Sequence, residues 1–243
     1  MKEFRRSGRK GFAVLALFAC LESACAMAQG EGETLPSLER EAHKAMGQGD
    51  LKKARDLDLR ALSLAPDDVE LLNNLAVVED RLGEEDKALR TLRRASSQAP
   101  GDARILLNLA RIELKLGREG EAFRTAGKIV SMDRWPDGFR TLMGKIDIDL
   151  ARYEEAHVYL HEALERHPDN PLVHTYLGIV HFRLGERAEA EKNFRDALSH
   201  HPSPKLRRSL LMLLSDPEKV LGPSQPRSIP RKEISHGGEE GRP

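Results

Sequence analysis

The stretch from His157 to Asn170 carries the side chains best suited to chemistry. It reads HVYLHEALERHPDN and holds three histidines, two glutamates and one aspartate. His157 and His161 are four residues apart, so on a helix they share a face and could bind a metal ion through two ligands. A hydrolytic H-E-x-x-H motif needs histidine at position 165, where this chain has glutamate. We therefore interpret most histidines as surface or packing residues and keep His157 and His161 as weak candidates for a metal site.

Three acidic residues recur at a spacing of 34 and resemble a carboxylate set for acid–base work: Glu79, Glu113 and Asp147. Their spacing should hold them one structural unit apart, without a nucleophile or oxyanion donor nearby. We predict a solvated or ion-paired edge. The sequence contains no phosphate-binding glycine loop and no G-x-S-x-G elbow, so we predict a non-enzyme without a cofactor.

The same spacing of 34 organises most of the chain. One alanine column runs without a gap through Ala54, Ala88, Ala122, Ala156 and Ala190. Glycine or alanine stands five residues before each of these alanines, and proline stands twelve residues after all but one. Glycine favours helix ends and proline cannot continue a helix, so each unit is predicted to be helix A, a turn, helix B and a stop. One such hairpin cannot bury both of its apolar faces, and we therefore predict a stacked solenoid.

These columns resemble the tetratricopeptide repeat, a helical hairpin of 34 residues. Helix A adds a Leu or Met followed by a small residue, as in Leu75-Ala76 and Met143-Gly144. The resemblance implies an all-α fold, an α-solenoid of five hairpins with a C-terminal capping helix. The predicted repeats cover residues 35–204, divided into 35–68, 69–102, 103–136, 137–170 and 171–204.

The chain departs from the family late in helix A, where an aromatic residue is usual. Numbering each repeat from its first residue, this is position 11. It is occupied by Ala45, Glu79, Glu113, Asp147 and His181.

The N-terminal residues 1–28 are predicted to be a signal peptide. Basic residues precede a short apolar run, and the small residues AMA end at Ala28. The run is shorter than the roughly 20 residues that span a bilayer. Alternatively, LFAC is a lipobox, and lipidation of Cys20 anchors the chain to a membrane. Both interpretations predict export, to the periplasm or outer membrane of a bacterium, or secretion.

The C-terminal end divides into two predicted parts. Residues 205–221 should form the capping helix, because Leu206, Leu210 and Leu213 make an apolar stripe. Residues 222–243 contain four prolines and four glycines and are predicted to be a disordered tail.

The charge balance argues against nucleic-acid binding. The whole chain has 39 basic and 39 acidic residues, so it has no overall positive field. Removal of residues 1–28 would leave 34 basic and 37 acidic residues, a formal charge of −3.

The resemblance implies a partner-binding surface on the concave side, formed by helices A. The predicted groove residues are Asn73, Asn74, Arg81, Arg104, Asn108, Arg111, Lys115, Lys145, Thr175, Ile179, Phe182 and Arg183. Basic residues outnumber acidic ones six to three at the groove positions, which favours an extended, somewhat acidic peptide. Asn74 and Asn108 are expected to hydrogen-bond its backbone, and Ile179 and Phe182 to offer an apolar anchor. Ordinary solvated charge on helices A is the alternative.

From these features we predict a non-enzymatic scaffold or adaptor of the cell envelope that binds a protein partner. Its arrangement resembles exported repeat lipoproteins of pilus and secretion-system assembly. Any membrane contact would come through the lipid anchor alone. The alternatives are a structural protein that self-associates through its repeats and, less favoured, a metal-binding protein.

Overall fold

The computed structural model describes residues 34–224 and shows an all-α protein, which confirms the predicted fold class. The helices in this part of the chain are α1 Leu35–Gly47, α2 Leu51–Leu64, α3 Val69–Arg81, α4 Glu85–Gln98, α5 Ala103–Lys115, α6 Glu119–Val130, α7 Phe139–Asp149, α8 Tyr153–Arg166, α9 Pro171–Arg183, α10 Arg187–Ser199, α11 Pro204–Ser215 and α12 Pro217–Leu221. None of them combines the length and apolarity needed to cross a membrane. The predicted signal peptide, Cys20 and residues 225–243 lie outside the described residues.

Helices α1 to α10 form five antiparallel pairs, with the odd-numbered helix as helix A and the even-numbered helix as helix B of each repeat. Each helix B also packs on helix A of the next repeat. Helices α11 and α12 follow on the open side of α10. The stacking therefore produces the continuous solenoid that the period predicts.

Side-chain caps and glycine turns define the hairpins. Asp68 and Asp102 lie before α3 and α5 and accept hydrogen bonds from the first backbone N–H groups of those helices. Gly83 ends the α3 turn with φ of +75°, a conformation that glycine adopts without strain. Ala151 takes the same place in the fourth repeat with φ of +58°. The Arg152 N–H then donates to the Asp147 carbonyl at 2.7 Å, which closes the helix end.

The fourth repeat begins later than its neighbours. Helix α7 starts at Phe139, two residues after the start of the predicted repeat at 137, and the third repeat has Arg134 where the others have proline. Trp135 fills this junction and lies 5.0 Å from the Phe139 ring and 6.2 Å from the Tyr159 ring, measured between centroids. An aromatic cluster thus replaces the proline stop.

The predicted capping segment, residues 205–221, comprises the two helices α11 and α12, which are separated at Asp216. Pro217 has no N–H for the helix ladder and disfavours helical backbone in the residue before it. Asp216 is accordingly extended, with φ of −155°, and its carboxylate caps α12 by accepting from the Lys219 N–H at 3.0 Å.

Two glycines of helices A lie against large side chains of helix B. A Cβ atom on Gly144 would lie 2.4 Å from Cγ of Leu160, and one on Gly178 would lie 2.4 Å from Cε1 of Phe194. Real Cβ atoms do not come this close to a neighbour, so the glycines make room for large side chains on helix B. In the second repeat the equivalent pair is Ala76 and Leu92.

The acidic column at position 11 is buried and not solvated, whereas the ion-paired alternative holds for Asp147, which pairs with Arg152. Glu79, Glu113 and Asp147 are 6%, 4% and 0% exposed. The Thr91 hydroxyl donates to Glu79 at 2.8 Å, whereas neither carboxylate oxygen of Asp147 has a hydrogen-bond partner. Arg152 Nε is 3.5 Å from Asp147 Oδ1.

Burial raises the pKa of all three carboxyl groups, since it disfavours the charged form. The pKa of Asp147 rises to about 6 despite the opposing effect of Arg152. Raised pKa values often mark functional sites, but a carboxyl group with 0% exposure cannot meet a substrate. We therefore assign the column to packing.

The Gly178 contact gives a stability prediction. Gly178→Ala should lower the free energy of unfolding, because overpacking costs about 1–3 kcal/mol and outweighs the gain of up to about 1 kcal/mol from alanine's helix propensity. Adding Phe194→Leu should recover part of the loss, since it recreates the Ala and Leu pair of the second repeat. Chemical denaturation measures both free energies of unfolding.

Gly127→Ala is the control, because Gly127 is an exposed helical residue where an added Cβ would have no atom within 4 Å. This substitution should stabilise the protein. Equal effects of the two alanine substitutions would contradict the close contact.

The Asp147 burial gives a pH prediction. A carboxyl group whose pKa is raised on folding contributes most stability below its ordinary value of 3.8, and this contribution is lost as the pH rises through about 6. Asparagine does not ionise, so the Asp147→Asn variant should not lose this stability as the pH rises. At pH 8 it should therefore be more stable than wild type by up to about 3 kcal/mol. At pH 4 the difference should nearly vanish.

Urea unfolding at a series of pH values measures this difference. Asp56→Asn is the matched control, because the Asp56 side chain is 68% exposed on α2. If the Asp147→Asn variant and wild type lose stability in parallel between pH 4 and pH 8, Asp147 is not the buried acid described here.

Candidate functional site

The concave surface of the second and third repeats holds a polar network. The Asn108 amide on α5 donates to Asn73 Oδ1 on α3 at 2.7 Å. Arg111 Nη2 donates to Asn108 Oδ1 at 3.0 Å. The predicted Asn and Arg residues therefore lie together and connect neighbouring helices A. Asn108 keeps its second amide hydrogen, and the Arg111 guanidinium has further donors, for a ligand.

A shallow depression lies beside this network. Its walls and floor are formed by Ala76, Val77, Asp80, Leu92, Asn108, Arg111 and Ile112. Lys115 Nζ lies 2.5 Å from Asp80 Oδ1 at the rim, so this lysine has an acidic partner on the neighbouring helix A. The depression joins an apolar floor to a polar and basic rim, as pockets for peptide side chains do.

Two other groove arginines have weak partners. Arg81 Nη1 donates to the Met46 carbonyl at 3.4 Å, and this oxygen carries no formal charge. Arg104 Nη2 is 3.5 Å from Asp102 Oδ2, and the Arg104 side chain is 63% exposed. Such exposed or long contacts contribute little to stability. Both guanidinium groups can therefore leave these partners and bind a ligand at a low cost in free energy.

The first and fourth repeats contribute fewer available polar and basic groups to the groove. Asn74 Nδ2 and His43 Nε2 are 3.4 Å apart across α3 and α1. Lys145 pairs with Asp149 one turn along α7, so its charge is already neutralised. The positive surplus of the groove therefore lies on the second and third repeats.

The fifth repeat departs from the predicted site. Thr175 is 4% exposed and its hydroxyl donates to the Pro171 carbonyl at 2.6 Å, inside its own helix. Phe182 is 1% exposed and packs in a core cluster with Phe194 and Leu210. Neither can contact a ligand, so the predicted apolar anchor at Phe182 is wrong. The α11 and α12 segment provides the cover, because Leu210 lies on α11.

The two remaining groove residues of the fifth repeat also face this C-terminal segment. Ile179 is partly buried against the same cluster. Arg183 Nη1 donates to the carbonyl of Pro223 at 3.1 Å. The usable groove is therefore shorter than the sequence predicts and ends before α9.

The weak metal candidates do lie together. The His157 and His161 ring centroids are 4.3 Å apart on α8. The structure adds His181 from α9, whose ring centroid is 5.2 Å from that of His157. Sequence reasoning did not group His181 with this pair, although it placed His181 where side chains pack between helices, and that place was the available signal.

Comparison with known proteins supports the repeat assignment. Two sequence profiles described as tetratricopeptide repeat match the chain, one at residues 45–104 and 148–211 and the other at residues 81–138. A search of curated protein sequences found no significant match.

Several solved structures share the fold. PilW, described as a widely conserved type IV pilus biogenesis factor, has a TM-score of 0.64 at 18% identity, covering 75% of this chain and 93% of PilW. A thermophilic TPR protein of Thermus thermophilus has a TM-score of 0.63 at 21% identity, covering 75% of this chain and 100% of that one. MamA from Desulfovibrio magneticus RS-1 has a TM-score of 0.60 at 16% identity, covering 73% and 97%.

At these identities the structural likeness shows the fold alone. The first sequence profile, however, matches more than half of the chain directly. The 34-residue period and the five stacked hairpins agree with it. The chain belongs to the tetratricopeptide-repeat family.

Proposed function

We propose that this protein is a non-enzymatic scaffold of the cell envelope that binds an extended, acidic segment of a protein partner on the concave surface of its second and third repeats. The fold supports protein partners in general. The observation that carries the finer proposal is the set of weakly paired arginines on α3 and α5: Arg81, Arg104 and Arg111.

The groove geometry favours an extended ligand. Asn73, Asn108 and Arg111 line up across two helices A and offer amide and guanidinium donors to carbonyl or carboxylate oxygens. Arginine binds carboxylates in a bidentate manner, which suits acidic side chains. An apolar side chain between the acidic ones would fit over Val77 and the floor of the depression.

The envelope location rests on the sequence of residues 1–28 and on the LFAC stretch that ends at Cys20. PilW shares the fold and is a pilus biogenesis factor by its own description. A role of the present chain in assembling a pilus or secretion complex is part of this proposal.

Charge reversal tests the groove. Arg104→Glu, Arg111→Glu and Lys115→Glu, combined, should reduce recovery of the partner from envelope extracts by at least about tenfold, because like charges would meet across the interface. Pull-down with quantitative mass spectrometry measures recovery. The matched control combines Lys52→Glu, Lys53→Glu and Arg90→Glu, which make the same charge change at exposed positions on helices B.

Both triple variants must retain the wild-type helical circular dichroism signal. Partners recovered equally by the groove variant and the control would overturn the groove proposal.

Self-association is the second candidate, and one observation favours it. Leu211 and Met212 on α11 are 55% and 53% exposed, although a terminal capping helix usually turns a polar face to solvent. Analytical ultracentrifugation decides this candidate. Self-association is supported if the protein forms a concentration-dependent dimer that the double variant Leu211→Ser, Met212→Ser does not form. A wild-type protein that is monomeric at all concentrations would rule self-association out.

A further inference from the structure

Three imidazole rings meet where the fourth repeat packs on the fifth. His157 and His161 come from α8, and His181 comes from α9. One ring nitrogen from each residue lies within 4.8 Å of the other two. Imidazole nitrogen is a preferred ligand of zinc and related divalent ions. The cluster joins two repeats and has no role in the groove.

Glu186 contacts one of the two ring nitrogens of His181. Its Oε2 lies 2.7 Å from His181 Nδ1, and the His181 side chain is only 11% exposed. When Nδ1–H donates to this carboxylate, the lone pair lies on Nε2, the other ring nitrogen. Metal-binding histidines usually have such a carboxylate or carbonyl partner, which fixes the tautomer and orients the ring.

Comparison with the other junctions of the same chain shows what is special here. The positions concerned are 21 and 25 on helix B, and 11 and 16 of the next repeat. From the first junction to the fourth, the four residues are Arg55, Leu59, Glu79 and Glu84; Leu89, Arg93, Glu113 and Arg118; Phe123, Gly127, Asp147 and Arg152; and His157, His161, His181 and Glu186.

The first three junctions use these positions for ordinary contacts. Arg55 forms an ion pair with Glu84 at 3.2 Å. The Arg152 guanidinium lies over the Phe123 ring, 4.8 Å from its centroid. Only the fourth of the described junctions combines three histidines with a carboxylate. The repeat therefore does not require histidine at these places for packing.

We propose that His157, His161 and His181 bind one divalent transition-metal ion of the zinc type, with Glu186 positioning His181. Three nitrogens at the corners of a triangle with 4.8 Å sides lie about 2.8 Å from its centre, and zinc needs about 2.0–2.1 Å. Small rotations of His157 and the exposed His161 side chain close this gap. His181 is held by its packing and by Glu186.

The bound ion would fasten α8 to α9. Three protein ligands leave one coordination position of a tetrahedral ion for water or for a side chain of a partner. The ion would thus stabilise the junction between the fourth and fifth repeats. It adds a metal-dependent property to the scaffold and does not depend on the groove.

Zinc titration of the untagged protein tests the site. After chelator treatment and its removal, isothermal titration calorimetry with Zn²⁺ should give one ion per chain, and the ion should raise the Tm. His161→Arg introduces the residue that the second repeat has at this position, Arg93, and should weaken binding at least about tenfold. Glu186→Gln should weaken it by about 10- to 100-fold while leaving the three ligands in place.

His167→Ala is the matched control, because His167 is an exposed histidine at the end of α8 and outside the cluster. It should bind Zn²⁺ as tightly as wild type. The His161→Arg protein must show the wild-type helical signal without metal. A wild-type protein that takes up no Zn²⁺, or uptake that His161→Arg leaves unchanged, overturns the proposal.

Discussion

The close packing of helix A on helix B is the constraint on which the other features depend. It leaves no room for a Cβ atom where Gly144 meets Leu160 and Gly178 meets Phe194, and the alanine column of helix B is buried in every repeat. Because each hairpin leaves one face of helix B uncovered, the next helix A must pack there. The resulting stack aligns helices A on one surface and brings Asn73 and Asn108 of different repeats within hydrogen-bond distance.

The same stacking explains which parts of the structure could be predicted. A period of 34 with glycine, alanine and proline columns specifies the hairpin and its neighbours, so the solenoid follows from the sequence. The break at Asp216 could also be predicted from the sequence, because Pro217 disfavours helical backbone in the residue before it. The later start of α7 was harder to predict, because it depends on contacts of Trp135 with Phe139 and Tyr159 that form only in the folded structure.

Side-chain environments were harder to predict than helix positions. A column of acids at position 11 looks solvated in the sequence, yet the packed helices bury it and leave Asp147 at 0% exposure. Phe182 occupies a groove position of its repeat, but the C-terminal helices cover that end of the groove. His181 joins the α8 histidines because helix A of the fifth repeat packs on helix B of the fourth. In each case the environment of the side chain depends on packing between helices, which the sequence pattern does not specify.

We propose that the second and third repeats bind the partner and that the fourth and fifth have a mainly structural role. The most direct measurement is photocrosslinking in cells with a benzophenone amino acid at Val77, which lines the groove depression, and at Leu59, which is 49% exposed on α2. The account predicts a specific protein adduct from Val77 that is absent from Leu59. Adducts from Leu59 alone, or the same adducts from both positions, would contradict it.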